Sequence, residues 1–244
     1  RFMSVTVSLD AAGRYFATFL CTDVPTKDTP ATDRKVGIDL GVETLATLSD
    51  GRKIGNPRHL KKYERKLARE QRRLSRRKGA RRGEKPSGRY LKQRKRVARI
   101  HAKIADARTD TLHKVTTMLA DENQVLCMED LNAKGMMRNC HLAKAVSDAS
   151  FGEFARLLEY KCAERGRTLV KVGRFYPSSK TCSACGHRLD VLPLSVRSWD
   201  CPVCGAHHDR DVNAARNILA EGKRILSNTE GTAGHAGTGA DITA

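Results

Sequence analysis

The sequence of 244 residues is poor in aromatic side chains and contains no long apolar run. Aromatic residues make up 5% of it, with a single Trp. No apolar stretch approaches the roughly 20 residues needed to cross a bilayer, and the first residues lack the apolar core of a signal peptide. These absences argue against membrane and secreted proteins, so we expect a cytoplasmic protein in a reducing compartment, without a membrane partner. Because it starts at Arg1, we expect it to be the back part of a longer protein.

Four of the eight cysteines form two CxxC pairs, Cys182/Cys185 and Cys201/Cys204, with fifteen residues between the pairs. Disulfides are rare in a reducing compartment, whereas four thiolates at this spacing complete the tetrahedral coordination of zinc. The spacing therefore predicts one structural Zn²⁺.

Other residues of metal-ligand type do not share this spacing. The neighbouring histidines are interpreted as bystanders, since four thiolates already fill the coordination sphere: His187, His207 and His208. The remaining cysteines are interpreted as ordinary thiols: Cys21, Cys127, Cys140 and Cys162.

Acidic residues are scarce between Arg58 and Arg99, where twenty Lys or Arg face three Glu. This segment carries +17 of the net charge of +19. Apolar residues at helical spacing predict a two-helix arm over about 57–120 with one basic face. Such a face is often only solvated, but this charge density favours nucleic-acid phosphates as the partner. The candidate contacts are Lys61, Lys62, Arg65, Arg69, Arg72, Arg73, Arg76, Arg77, Arg94 and Arg96.

The order of apolar and turn segments predicts an α/β protein in several parts. Residues 1–33 read as a β-hairpin with half-buried strands followed by a linker, and a new domain starts at residue 34. Its first strand carries Asp39 between Gly37 and Gly41, two glycines that allow another backbone or a ligand to approach closely. The further predictions are strands at 124–128 and 168–172, an irregular stretch at 133–147, helices at 150–165 and about 211–223, and a disordered tail at 227–244.

Three acids stand at the ends of separate predicted elements: Asp39, Glu129 and Asp211. Each alone is weak evidence, because Asp and Glu also serve as turn and helix-cap residues. Carboxylates that converge at neighbouring strand ends hold Mg²⁺ well, and two such ions catalyse phosphodiester hydrolysis without a covalent nucleophile. The three acids together, beside a basic arm, predict a catalytic site with two Mg²⁺.

Four motifs in order resemble the RuvC nuclease half of TnpB, a family of transposon-encoded, RNA-guided DNA endonucleases. They are Val36-Gly-Ile-Asp-Leu-Gly41, Met128-Glu-Asp-Leu-Asn132, Ser178-Ser-Lys-Thr-Cys-Ser-Ala-Cys-Gly186 and Asp209-Arg-Asp-Val-Asn-Ala-Ala-Arg-Asn-Ile218. The resemblance implies an RNase H-like (RuvC) domain with an inserted helical arm and zinc ribbon, preceded by a remnant of a wedge-type β-barrel. The implied parts are 1–33 for the wedge hairpin and linker, 34–176 for the nuclease domain, 177–208 for the ribbon, 209–226 for the last RuvC element and 227–244 for the tail.

The resemblance also implies roles for residues. Asp39, Glu129 and Asp211 become the catalytic, magnesium-binding acids, with Asp211 rather than Asp209 as the third, and guide RNA and target DNA become the partners. Arg210 lies in the same motif and is a further nucleic-acid candidate. Relatives carry a recognition domain and most of the wedge barrel before this point, which leaves guided recognition by this chain alone in doubt.

Two other function classes compete. The strand around Asp39 also resembles the phosphate-binding hairpin of actin-like ATPases, but the sequence has no second lobe with an adenosine-binding Gly-rich motif. A catalytically inactive or non-enzymatic zinc-ribbon regulator that binds nucleic acid stays open as the alternative. The three acids argue against it, because carboxylates gathered at a phosphate-binding surface weaken binding.

Overall fold

A computed structural model describes residues 1–24, 29–77, 79 and 85–233. The elements in these ranges are β1 (Phe2–Leu9), β2 (Tyr15–Cys21), β3 (Lys35–Leu40), β4 (Thr44–Leu48), β5 (Lys53–Gly55), α1 (His59–Ser75), α2 (Gly88–Glu122), β6 (Val125–Glu129), α3 (Ala133–Met136), α4 (Ala143–Ala149), α5 (Phe151–Glu164), β7 (Thr168–Val172), β8 (Ser198–Asp200), β9 (His207–Asp209) and α6 (Arg210–Ala233). No helix in the described ranges is both long enough and apolar enough to span a bilayer.

The chain divides into two compact units. The first combines residues 1–27 with 57–115, and the second combines 28–56 with 116–244. The sequence instead predicts that the helical arm is an insertion in the nuclease domain. Those domain boundaries stay a prediction. The predicted linker and the break between the two arm helices lie partly outside the described residues, at 25–28, 78 and 80–84.

The first unit contains a two-stranded antiparallel ribbon of β1 and β2, paired from Phe2 with Cys21 to Leu9 with Tyr15. The predicted hairpin is therefore present, but the predicted half-burial of its strands is wrong. Phe2 and Tyr15 are 74% and 75% exposed, and every residue of β1 is exposed. An alternating pattern buries one face only where another layer covers it, and nothing in the described residues covers this one.

Helices α1 and α2 form the predicted arm. Leu67 packs against Val97, Ile100 and Ile104 of α2, and Leu60, Tyr63 and Leu74 extend the apolar stripe of α1. One carboxylate is buried in this seam: Gln93 Nε2 donates to Glu70 Oε2 over 2.8 Å and to the Glu70 carbonyl over 3.0 Å. The Lys and Arg side chains of both helices are exposed, except for half-buried Arg108 of α2.

The second unit is built on a five-stranded sheet in the order β5-β4-β3-β6-β7. Strand β3 pairs antiparallel with β4 and parallel with β6, and β6 pairs parallel with β7. Parallel neighbours need crossover connections: α1 and α2 lie in the chain between β3 and β6, and α3 to α5 lie between β6 and β7. Helix α5 ends where predicted, before Gly166 at a φ of 61°.

Helix α6 lies directly against the middle of this sheet. A Cβ at Gly37 of β3 would lie 2.0 Å from the Ala215 carbonyl oxygen, and one at Gly222 of α6 would lie 2.2 Å from Cys127 Sγ of β6. The close approach predicted at Gly37 is thus made by a helix backbone. Ile218 of the same helix is fully buried against the sheet.

Two predictions about local structure are wrong. Helix α6 runs on to Ala233, through part of the predicted disordered tail, because Ile225 and Leu226 still pack against the core beyond the predicted end. The remaining tail, 234–244, lies outside the described residues. The stretch 133–147 is not wholly irregular, since it contains α3, begun by the Asn132 side chain accepting from the Gly135 N–H, and most of α4.

The contact at Gly37 gives a first prediction. Gly37→Ala should lower the free energy of unfolding by about 1–3 kcal/mol, because the added methyl meets backbone atoms of α6 that cannot turn aside. Denaturant titration would measure this. Gly55→Ala is the control, because a Cβ there meets nothing within 4 Å; equal midpoints for both variants would contradict the packing argument.

Candidate functional site

Two of the three predicted acids are brought together by the parallel pairing of β3 and β6. Ile38 of β3 is in register with Met128 of β6, so the next residues, Asp39 and Glu129, follow at the same edge of the sheet. This edge is where the carboxyl ends of parallel strands commonly form ligand sites.

The third acid comes from the first turn of α6, where the structure distinguishes Asp211 from Asp209. Asp209 caps the helix: its Oδ1 accepts from the N–H groups of Asp211 and Val212 over 3.1 and 3.0 Å. Its Oδ2 is 2.7 Å from Lys53 Nζ. Partial burial opposes ionisation, but Lys53 and the two N–H groups outweigh it and keep the pKa of Asp209 below its ordinary value.

Asp39, Glu129 and Asp211 line one cavity of about 430 Å³ in the second unit. Its other polar side chains include Glu43, Ser178, Arg197 and Arg210. The three carboxylates are not as tightly clustered as the cysteine sulfurs: in the described part of the chain, only the cysteine group has candidate ligand atoms all within 4.8 Å of one another. The acids share a cavity rather than one narrow cage.

The electrostatics of this cavity favour a cation. Burial, and then the charges of Glu129 and Asp211, raise the pKa of Asp39 to about 8, while Arg210 opposes the rise. Burial also raises the pKa of Glu129, against a hydrogen bond donated by Ser178. Carboxylates that repel one another in a partly buried site are stabilised by divalent ions with oxygen ligands, so this donor set suits Mg²⁺.

The four cysteines of the CxxC pairs form a second possible metal site. Cys182 Sγ lies 3.6 Å from Cys204 Sγ, and Cys185 Sγ lies 3.6 Å from Cys201 Sγ. Disulfide sulfurs would be about 2.05 Å apart, whereas the sulfurs of a zinc tetrahedron with bonds of about 2.3 Å are separated by about 3.8 Å. The group can hold a metal ion such as zinc.

Two similar turns build this cysteine cluster. In each, the N–H of the first cysteine donates to the carbonyl five residues on, and the N–H of a glycine four residues on donates back, all over 2.8–2.9 Å. These glycines, Gly186 and Gly205, have φ values of 79° and 70°, which side chains disfavour. The turns bring all four sulfurs around one centre.

The histidines beside the cluster differ from one another. His207, in the two-stranded β8–β9 sheet, pairs with Asp200 over 2.7 Å. His208 is buried, with Nε2 3.0 Å from Cys182 Sγ and its ring packed on Trp199. His208 therefore contacts a sulfur of the cysteine cluster. In the sequence, the alternation of a short strand at 207–209 is the one signal of this contact.

The candidate nucleic-acid residues separate into two places. Ten lie on or next to the arm helices, and nearly all are exposed: Lys61, Lys62, Arg65, Arg69, Arg72, Arg73, Arg76, Arg77, Arg94 and Arg96. A shallow cavity of about 970 Å³ along α1 is lined mostly by seven of them. Arg210 instead lines the acid cavity, and its Nη1 donates to the carbonyls of Pro193 and Val196 over 2.6 and 3.3 Å.

Sequence reasoning missed three residues of the acid cavity. Ser178 and Arg197 line it, and Arg197 Nη2 is 3.0 Å from Glu43 Oε2. Ser178 opens one of the motifs, but Arg197 and Glu43 lie in stretches without a recognisable pattern. Only the fold brings these loops to the ends of β3 and β6.

Two family models match the chain. Residues 19–140 match OrfB_IS605, described as "Probable transposase", and residues 151–218 match the TNB domain of Cas12f1-like proteins. The second match contains the cysteine cluster and the start of α6.

Curated relatives resemble most of the chain. A "Putative RNA-guided DNA endonuclease" of Streptomyces pristinaespiralis is 51% identical over 90% of this chain and 52% of its own length. A second relative, the "Putative RNA-guided DNA endonuclease InsQ" of Escherichia coli, is 35% identical over 92% of this chain and 58% of its own length. The chain thus spans about half the length of the curated relatives it matches.

A solved structure shares the fold. The chain matches one chain of a Cas12f1–sgRNA–target DNA complex with a TM-score of 0.52 at 19% identity, over 88% of this chain and 55% of that one. The α/β fold is thereby confirmed. With a family model matched across half its length and with TnpB-like proteins among its relatives, the chain belongs to the OrfB_IS605 family, the TnpB family that its motifs indicate.

Proposed function

We propose that this chain is the nuclease portion of an RNA-guided DNA endonuclease, with Asp39, Glu129 and Asp211 as its catalytic acids. The observation that carries the proposal is the convergence of these acids, from two strands and a helix, on one cavity, where burial and the charges of Glu129 and Asp211 raise the pKa of Asp39. A surface that only binds phosphates gains nothing from such a group. The non-catalytic regulator considered above therefore ranks second.

In the proposed mechanism the three carboxylates hold two Mg²⁺. Bound there, the ions would lower the pKa of an attacking water and stabilise the leaving oxygen of a phosphodiester. Asp39 and Glu129 lie on rigid strands at the sheet edge, and Asp211 is fixed by the capped first turn of α6. Arg210 balances part of the negative charge, because its positive charge lowers the pKa of Asp39.

The proposal also assigns the parts of the fold to named domains. We assign the five-stranded sheet with α6 to an RNase H-like (RuvC) domain and the cysteine segment to a zinc ribbon with one structural Zn²⁺. The β1–β2 ribbon is assigned to a wedge-type β-barrel. Its open edges and its apolar side chains exposed on both faces, such as Val7 on one face and Phe16 on the other, suit a strand pair that is part of a larger sheet.

Guide RNA and target DNA are the proposed partners. The relatives' name points to RNA-guided DNA cleavage, and the solved structure that shares the fold is a complex with sgRNA and target DNA. In this chain the support is the arm, whose exposed cations suit phosphates and whose scarce aromatics, Tyr63 and Tyr90, offer little base stacking.

The catalytic assignment predicts that Asp39→Asn, Glu129→Gln and Asp211→Asn each lower DNA cleavage more than about 100-fold, beyond the usual loss from an outer-shell change. The protein would be purified with its bound RNA and assayed with Mg²⁺ on DNA complementary to that RNA. Asp39→Asn should not lower the melting temperature in metal-free buffer at pH 8, because it removes a carboxyl whose ionisation the fold opposes.

The matched control is Asp209→Asn, at the same helix start. Asn caps helices about as well as Asp, and the lost ion pair with Lys53 is exposed, so cleavage should stay near that of the parent. Full cleavage by Asp39→Asn, or equal losses from Asp209→Asn and Asp211→Asn, would refute the assignment.

Elemental analysis should find one zinc per chain. Cys182→Ser should lose the zinc and lower the melting temperature, because metal binding contributes folding free energy. Cys140→Ser is the control, since that exposed thiol lies outside the cluster. A zinc-free protein with an unchanged melting temperature would contradict the structural role.

Replacing Arg65, Arg72 and Arg76 by Gln should weaken nucleic-acid binding. It should also reduce the slope of log Kd against log salt by about two to three, close to one per lost phosphate contact. These side chains are exposed, two of them on α1 and Arg76 directly after it. Arg73 is spared because it pairs with buried Glu70. Fluorescence anisotropy at several salt concentrations measures the slope.

The control carries the same charge change elsewhere: Arg156→Gln, Lys171→Gln and Arg224→Gln, three cations paired with neighbouring acids. Its slope should stay near that of the parent. If both triple variants shift the slope equally, the arm is an ordinary solvated face.

A further inference from the structure

Ser178 contacts the proposed catalytic acid Glu129 directly. Its Oγ donates a hydrogen bond to Glu129 Oε1, and the side chain is 7% exposed. In the described part of the chain, this carboxylate is the hydroxyl's hydrogen-bond partner. The hydroxyl therefore orients one oxygen of Glu129 and leaves the other for the cavity.

The backbone at Ser178 is held independently of that hydroxyl. Asn217 Nδ2 donates to the carbonyls of Ser178 and Thr181 over 2.7 and 2.6 Å. Asn213 Nδ2 donates to the Thr181 carbonyl over 2.7 Å. Both asparagines are buried and lie four residues apart on α6, so they form one rigid clamp on the segment 178–181.

The same clamp reaches the cysteine cluster. Asn213 Oδ1 accepts from the Ser183 N–H over 2.9 Å, so Asn213 holds the residues on both sides of Cys182. A network of hydrogen bonds thus runs from the two residues that flank Cys182, through Asn213 and Asn217, to the Ser178 carbonyl, and the Ser178 hydroxyl donates to Glu129. All its donors and acceptors lie in the second unit.

We propose that Ser178 is a positioning residue for Glu129, with its backbone held in place by the Asn213–Asn217 clamp. The proposal rests on the proposed function, since it assigns a role toward the metal-binding acids. Residues that orient metal ligands in this way typically change metal affinity or activity by about 10–100-fold when replaced.

The test compares Ser178→Ala with Ser178→Thr, which restores a hydroxyl at the same position, in the zinc-loaded, RNA-bound protein. Mn²⁺ serves as the probe, and its binding is followed by electron paramagnetic resonance. Ser178→Ala should weaken Mn²⁺ binding and lower kcat by about 10–100-fold, with KM for DNA and zinc content unchanged. Ser178→Thr should recover most of both losses.

Ser227→Ala is the control, because it removes a serine hydroxyl from an exposed position on α6, away from the acid cavity. Asp39→Asn, run in parallel, separates the two proposals. If it is inactive while Ser178→Ala binds Mn²⁺ and cleaves like the parent, only the positioning role fails; if it cleaves normally, the nuclease assignment fails. Lower zinc content or melting temperature in Ser178→Ala, unrecovered by Ser178→Thr, would mean a purely structural role and overturn the proposal.

Discussion

The close packing of helix α6 on strands β3 and β6 is the constraint on which the rest of the second unit depends. Gly37 and Gly222 remove the side chains that would hold the helix away from the sheet. With the helix this close, the first turn brings Asp211 to the cavity that Asp39 and Glu129 line at the strand ends. The next turns present Asn213 and Asn217 to the segment before Cys182. One helix therefore places an acid and fixes the approach to the cysteine cluster.

That arrangement has an electrostatic cost. Three carboxylates line a partly buried cavity, and the rise in the pKa of Asp39 to about 8 records how strongly the fold opposes its charge. Two neighbours offset only part of this electrostatic cost. The charge of Arg210 lowers the pKa of Asp39, and Ser178 donates a hydrogen bond to Glu129. Sites that are unfavourable for folding alone are common where function requires them. Here the unfavourable charge is what a divalent cation would relieve.

Much of this site could be predicted from the sequence, because the acids sit in motifs whose order is specific. Asp209 and Asp211 also differ in place, since the Asp209 carboxylate caps the helix while Asp211 lines the cavity. The choice of Asp211 as the third acid stays a prediction. Ser178 lies within a motif, but its contact with Glu129 cannot be predicted from the sequence, because a hydroxyl carries no spacing signal. Arg197 and Glu43 cannot be predicted from the sequence as residues of this cavity, because their loops come together only in the tertiary fold.

The arm shows the opposite limit of such reasoning. Composition locates its charge and periodicity its two helices, but neither explains how so many cations tolerate one another. The structure gives a physical answer in the seam: Leu67 and Ile100 bury apolar surface, and Glu70 is a buried carboxylate that accepts from Gln93, Arg69 and Arg73. Water and salt screen the repulsion between exposed cations, whereas they do not screen the interactions in the buried seam. The hairpin is therefore held together by its interior, which leaves its basic surface available for phosphates.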